Sequence, residues 1–155
     1  KYLYLEGMLM GKNKKIAVID GMGGGLGGQI VSQLTKKLDK SVEVIALGTN
    51  ANATSRMMQN GAKRRATGEN AIRVNINDVE IIAGPMGILI PNALMGEITP
   101  NMAEWIGLAP GKKILLPVSQ PHYKLVGLPE KSMSDLIDDL VLMIKKEVEK
   151  NTKKD

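Results

Sequence analysis

The sequence predicts an α/β domain, a three-layer open and mostly parallel sheet with helices on both faces. Three observations carry this. Short apolar runs alternate with helix-spaced amphipathic stretches along the whole chain. The first run ends in a glycine-rich turn that opens directly into a helical pattern, as in a βαβ unit. The hydrophobic stock is aliphatic, with no Phe, one Trp, three Tyr and ten Met, so Ile, Val, Leu, Ala and Met must build the core. That suits strands buried on both faces.

Lys15 to Asp20 is a short apolar run bounded by Lys and Gly, a buried strand. After Gly21–Gly28, residues Leu26, Ile30, Val31, Leu34 and Leu38 recur as one face of a helix. Val42 to Leu47 is the second strand, ending at Gly48-Thr49-Asn50. Asn50 caps a helix running to Asn60, and Gly61 stands where a left-handed C-terminal cap belongs. Residues 62–76 fit two patterns: Val74 and Ile76 alternate like a strand, while Ile72 and Ile76 are helix-spaced. Val79 to Ala83 is a strand ending at Gly84-Pro85-Met86-Gly87, and a second apolar stretch, Ile88 to Ile90, stops at Pro91. Thr99 followed by Pro100 starts a helix with Met102, Trp105 and Ile106 inward. Lys113 to Val118 is a further strand ending in Ser119-Gln120, and a short strand is expected near Leu125 to Gly127. The last helix begins at Ser132 or Ser134 and buries Leu136, Ile137, Leu140, Val141, Ile144 and Val148; its early acids and late lysines agree with the helix dipole.

With 155 residues, the chain suits one Rossmann-sized domain over 12–150, with 1–11 read as an N-terminal extension or cloning remnant and 151–155 as a charged tail. Zero Cys excludes disulfides and thiolate chemistry, and a single His, read as an exposed loop residue, excludes a multi-His metal site, so no metal is expected. No apolar run reaches the roughly 18 residues a membrane span needs, and no secretory pattern is visible; the expectation is a cytoplasmic protein without a membrane partner. The formal net charge is +5, but five of the 21 Lys/Arg lie in the last eleven residues. Arg56 with Lys63-Arg64-Arg65 forms one local patch, read as a solvated helix end and loop, with a phosphate-facing patch as the alternative; without stacking aromatics it does not indicate nucleic acid.

In open α/β sheets, ligands bind beyond the carboxyl ends of the strands, where strand order reverses. The segments at those ends are Asp20–Gly28, Gly48-Thr49-Asn50, Gly84-Pro85-Met86-Gly87 and Ser119-Gln120, all small, polar or glycine-rich. They are the candidate ligand site, with Gly21, Gly23, Gly24, Gly25, Leu26 and Gly27 as phosphate-binding residues. Six glycines in eight positions allow close backbone approach, and free amides at a helix N-terminus attract an anion. The alternative is close strand–helix packing. Gly23, Gly25 and Gly28 match G-x-G-x-x-G, while Gly21, Gly25 and Gly27 match G-x-x-x-G-x-G, so the register stays open. A P-loop is excluded, because Gln29-Ile30 stand where Lys-Ser is required.

Dinucleotide enzymes place an acid at the end of the second strand to hold ribose hydroxyls. Leu47-Gly48-Thr49-Asn50 offers none, which counts against NAD; a small neutral tip with Arg56 beyond it suits a 2′-phosphate and favours NADP or another nucleotide. A Tyr–Lys pair four residues apart is absent, since Tyr123 meets Gly127 at that spacing, and the chain leaves little room for a substrate domain. A self-sufficient dehydrogenase is not expected. The catalytic candidates are Asp20, at the mouth of strand one, and Glu97, the sole carboxylate between Glu80 and Glu104, which with Asn92 and Thr99 reaches the cleft from a lid. The charge-free run Ile81–Met95 is too apolar for a surface loop and is expected to cover a pocket or to meet a second subunit in a homodimer.

The strings Ile19-Asp20-Gly21-x-Gly23-Gly24-Gly25-x-Gly27, Ala46-Leu47-Gly48-Thr49-Asn50, Ala66-Thr67-Gly68-Glu69-Asn70-Ala71 and Gly84-Pro85 resemble a family of short bacterial proteins classed as a domain of unknown function. The likeness runs from about Lys14 to the C-terminal helix. It implies a Rossmann-like fold with no established activity, and it draws Thr67 and Asn70 toward the same cleft. Three functions remain: a sensor or accessory domain binding a nucleotide or phosphorylated small molecule; a small enzyme using Asp20 or Glu97 as base on a phosphorylated substrate; or an oligomeric interaction protein whose glycines serve packing.

Overall fold

The computed structural model describes residues 14–118, 120 and 122–152; the expected extension over 1–11 and Ser119 lie outside them. Five parallel strands alternate with helices: β1 (Lys15–Asp20), α1 (Gly25–Lys37), β2 (Glu43–Gly48), α2 (Ala51–Gln59), β3 (Arg64–Thr67), α3 (Glu69–Asn75), β4 (Ile81–Pro85), α4 (Pro100–Leu108), β5 (Lys112–Leu116) and α5 (Met133–Thr152). Single 3-10 turns follow α3 (Ile76–Asp78) and β4 (Met86–Leu89). Strand order is β3-β2-β1-β4-β5. The fold is an open three-layer α/β sheet of Rossmann-like form.

Two separate cores cover the sheet, and the strand's period of two divides them. In β1, Ile16 and Val18 point to the side of α1, α2 and α5, where they meet Ile30, Leu34, Met57, Leu140 and Ile144. Ala17 and Ile19 point the other way, toward Ile72, Ile88, Ile98, Met102 and Ile106. Every residue of β1 from Ile16 to Asp20 is buried, so its near-continuous apolar run reflects two covered faces. Truncating a fully buried Ile here, such as Ile16 or Ile19, to Ala costs about 2–5 kcal/mol.

The helix ends follow their sequence signals. Asn50 accepts from the Ala53 amide at 2.9 Å and starts α2, and Gly61 follows with φ 115°. Thr99 accepts from the Met102 amide at 3.1 Å, with Pro100 in the first turn of α4. Residues 62–76 divide into the short edge strand β3 and α3. Val74 lies exposed on α3 rather than in a strand, and Ile76 begins the 3-10 turn. The strand expected near Leu125–Gly127 is absent. Leu125 and Val126 project into solvent, at 49% and 102% exposure, with no strand beside them; the local pairing is one antiparallel bridge, Gln120 to Tyr123. Helix α5 extends through Thr152, into the expected tail.

Because β2 lies on one side of β1 and β4 on the other, strand order reverses at β1. The register sets Asp20 beside Gly48 at the β1–β2 tips. The glycine turn therefore stands at the topological switch point, flanked by the ends of β2 and β4.

Candidate functional site

Asp20 ends β1 on the α1 side of the sheet and is 4% exposed. Its Oδ1 accepts from the Gly21 amide at 2.8 Å and its Oδ2 from the Gly27 amide at 2.7 Å. Helix α1 has a glycine at its N-cap and so no capping side chain of its own; Asp20 reaches forward and satisfies one of its orphan donors instead. Burial raises the Asp20 carboxyl above its ordinary value of 3.8; the two amide bonds oppose the rise, and the nearby charge of Glu97 adds to it. With both oxygens committed to backbone, Asp20 bolts the turn to the helix and faces no open space.

The six glycines of the turn divide into two groups. A Cβ on Gly24 would meet the Ala53 backbone at 2.7 Å, and its φ of 71° is itself a glycine conformation. A Cβ on Gly27 would meet the Asp20 Cβ at 2.7 Å and the Met57 Sδ at 2.8 Å. Gly21 and Gly28 are likewise crowded, by Thr49 and Asn60. These four serve packing. Gly23 and Gly25 differ, for nothing lies within 4 Å of a Cβ added at either.

The amides divide similarly. Those of Gly21 and Gly27 go to Asp20, Gly24 bonds to the Gly21 carbonyl, and Gly28 to the Gly24 carbonyl. Met22, in the left-handed region at φ 54°, gives its amide to Glu97. The amides of Gly23, Gly25 and Leu26 have no protein acceptor among the described residues. Of the six turn residues expected to hold phosphate, Gly23, Gly25 and Leu26 thus offer open donors, while Gly21, Gly24 and Gly27 are engaged within the fold. Gly23 borders an open groove of about 600 Å³ completed by Asn52, Ser55, Arg56, Gln59 and Asn60 of α2 and its end. The Arg56 stem passes Gly28, and its guanidinium forms no ion pair among the described residues. A second groove of about 320 Å³ shares Ser55 and runs to Arg65 and Thr67 at β3.

Over the β1 and β2 tips lies the segment 91–98, anchored by fully buried Ile98 and closed by Asn92 N–H to Ile98 C=O at 2.7 Å. It carries Asn92, Leu94 and Met95 at φ of 63°, 55° and 57°, a concentration of backbone strain in non-glycine residues. Leu94 packs over Gly21, and Glu97 turns inward. Glu97 Oε1 accepts from Thr49 Oγ1 at 2.7 Å and Asn50 Nδ2 at 2.6 Å; the Met22 amide lies 3.2 Å from Oε1 and 3.1 Å from Oε2. Burial raises the Glu97 carboxyl, but the bonds from Thr49, Asn50 and Met22 outweigh it, and the group titrates below its ordinary 4.5. Asn50 is the hub, since the same side chain caps α2 and also donates to the Met22 carbonyl at 2.9 Å.

The remaining expected site residues scatter. Gly48 is packed against Thr54, and Gly84 against the Ile19 carbonyl. Pro85 is buried at the end of β4, Met86 starts the 3-10 turn, and Gly87 has the Gln120 side chain across it. Thr67 bonds Thr54 at 2.8 Å beside β3, Asn70 accepts from Arg73, and Thr99 donates to Glu69. The charge-free run is largely absorbed by β4, the turn after it and the covering segment; of its large apolar side chains only Met95 stays exposed. Ser55, Asn52 and Gln59 were missed by sequence reading, because an exposed polar helix face carries no signal of its own.

A family model described as Domain of unknown function (DUF3842) matches residues 15–149, from the first residue of β1 into the last turns of α5. The chain belongs to that family. No curated protein and no solved structure matches it. In this DUF3842 domain no helix of the described residues is long and apolar enough to cross a membrane, and no group of three His, Asp or Glu among them could hold a metal ion.

Proposed function

We propose that the protein binds a phosphorylated, nucleotide-like small molecule, with its phosphate on the amides of Gly23, Gly25 and Leu26. The observation that carries this is the pair of glycines with no packing duty, set at the N-terminus of a 13-residue helix whose first amides are free. A glycine costs backbone entropy relative to alanine, roughly 0.5–1 kcal/mol in a helix, and at Gly23 and Gly25 the fold gains nothing in return. An incoming phosphate does gain, since only bare backbone lets it reach the amides. Arg56 supplies a cation beside the groove. The α2 face of Asn52, Ser55 and Gln59 offers polar partners for the rest of the ligand.

A binding role fits the carboxylates better than acid–base catalysis. A general base works best with a pKa near the operating pH. Glu97 is held below the ordinary carboxylate range, and Asp20 spends both oxygens on backbone amides.

Thermal unfolding in the presence of inorganic pyrophosphate, nucleotides and sugar phosphates tests the reading. A ligand at about 100 times its Kd adds about 2.7 kcal/mol. For a domain of this size that raises Tm by about 5–10 °C. Gly25→Asp places an acid in open space at the first helical position, where the helix dipole tolerates it, and it should remove the shift without loss of fold. Unchanged ligand binding in that variant, or no shift with any phosphate compound, overturns the proposal.

A further inference from the structure

Nucleotide-binding sheets of this topology place an acid at the tip of the second strand, where it accepts from ribose hydroxyls. Here β2 ends in Gly48 and is followed by Thr49-Asn50, with no carboxylate. A carboxylate nevertheless reaches that tip. Glu97 is carried in by the covering segment and fastened to the two residues after β2, Thr49 at 2.7 Å and Asn50 at 2.6 Å.

We infer that Glu97 reads the ribose diol of the ligand, accepting from its 2′- and 3′-hydroxyls while the 5′-phosphate lies on the Gly23, Gly25 and Leu26 amides. This rests on the phosphate site proposed above and narrows the ligand to a nucleotide whose ribose is unphosphorylated. Three features support it. Oε1 accepts from Thr49 and Asn50 and shares the Met22 amide at 3.2 Å, whereas among the described residues Oε2 takes only that amide, at 3.1 Å; a carboxylate oxygen has room for more, and the side chain is only partly buried. The amide that touches Glu97 belongs to Met22, and the open amide of Gly23 is the next along the chain, with consecutive residues about 3.8 Å apart. Phosphate and diol subsites therefore adjoin, as they do within one nucleotide. Finally, the positive-φ residues Asn92, Leu94 and Met95 lie directly ahead of Glu97, and Met95 itself, 89% exposed, gains little packing there. The same placement reverses the preference for a 2′-phosphate drawn from the neutral β2 tip, because that phosphate would face a carboxylate.

The test is calorimetric titration of the 155-residue chain with ADP, GDP, CDP and UDP, each against its 2′-deoxy counterpart, and with inorganic pyrophosphate. At least one ribonucleotide should bind about tenfold more tightly than its deoxy form, the factor that corresponds to one well-placed hydrogen bond to a charged group. Glu97→Gln should bring that ribonucleotide down to the deoxy level, while pyrophosphate, which has no diol, should not weaken. Equal binding of ribo and deoxy forms by the unmutated protein overturns the diol assignment. So does a ribo-over-deoxy preference that survives in Glu97→Gln. In both cases Gly25-dependent pyrophosphate binding leaves the phosphate site standing; if neither pyrophosphate nor any nucleotide binds, both readings fall.

Discussion

The mouth of β1 and the segment 91–98 each bring one carboxylate to the same strand tips, and the two are treated oppositely. Asp20 is buried and held on both oxygens by amides of its own turn, and its carboxyl is raised. Glu97 arrives from 75 residues beyond Met22, stays only partly buried, takes side-chain donors as well as an amide, and is lowered. The first arrangement makes a structure rigid; the second holds an ionised acceptor ready at the surface. The same division runs through the glycines, four of them packed and two facing open space.

The largest effect should come from breaking the sealed side. Gly27→Ala forces a Cβ against Asp20 and Met57, an overpacking worth about 3 kcal/mol by urea unfolding, with the exposed control Gly23→Ala staying within about 0.5 kcal/mol. Asp20→Asn comes next. It sets an amide group against an N–H that needs an acceptor, and it should cost about 2 kcal/mol despite relieving a buried charge. Glu97→Gln should cost under about 1 kcal/mol globally, yet hydrogen exchange at the Met22 amide should quicken as the covering segment loosens. Equal losses at Asp20 and Glu97 would erase the contrast.

Acidity separates the two more finely. A lowered carboxyl stabilises the fold above its ordinary pKa, so the share owed to Glu97 is present above 4.5 and disappears as pH falls below it. A raised carboxyl does the reverse. The native state holds the Asp20 proton longer than the unfolded chain, so stability declines as pH climbs from 3.8 through the raised native value. Urea unfolding across this range should show the acid loss shrink in Glu97→Gln and the decline on the rising side shrink in Asp20→Asn. Identical pH profiles for the two variants would contradict the assignment.

How far the sequence led depended on burial. The runs β1 and β2, the caps at Asn50 and Thr99, and the inner face of α5 are legible because apolar period and capping chemistry are local. Strand β3 was not, since Arg64 and Arg65 are exposed on an edge strand that is held by backbone bonds to β2, with Glu43 paired to Arg64. Helix α3 buries only Ile72, too little to mark a face. The glycine turn was visible as a motif, but its division into packed and open positions was not, because that depends on Ala53, Met57 and Asn60 approaching from α2 and its end. Glu97 could be named as a lid carboxylate from its isolation in an uncharged stretch. Its landing on Thr49 and Asn50 is a long-range fact that only the fold supplies.

Amide chemical shifts during titration with inorganic pyrophosphate address the site at the resolution of single donors. The amides of Gly23, Gly25 and Leu26 should move most, while those of Gly21 and Gly27, already bonded to Asp20, should move little. Shifts centred on any other surface, or uniform movement of all five, would contradict a phosphate site built from the turn's open amides.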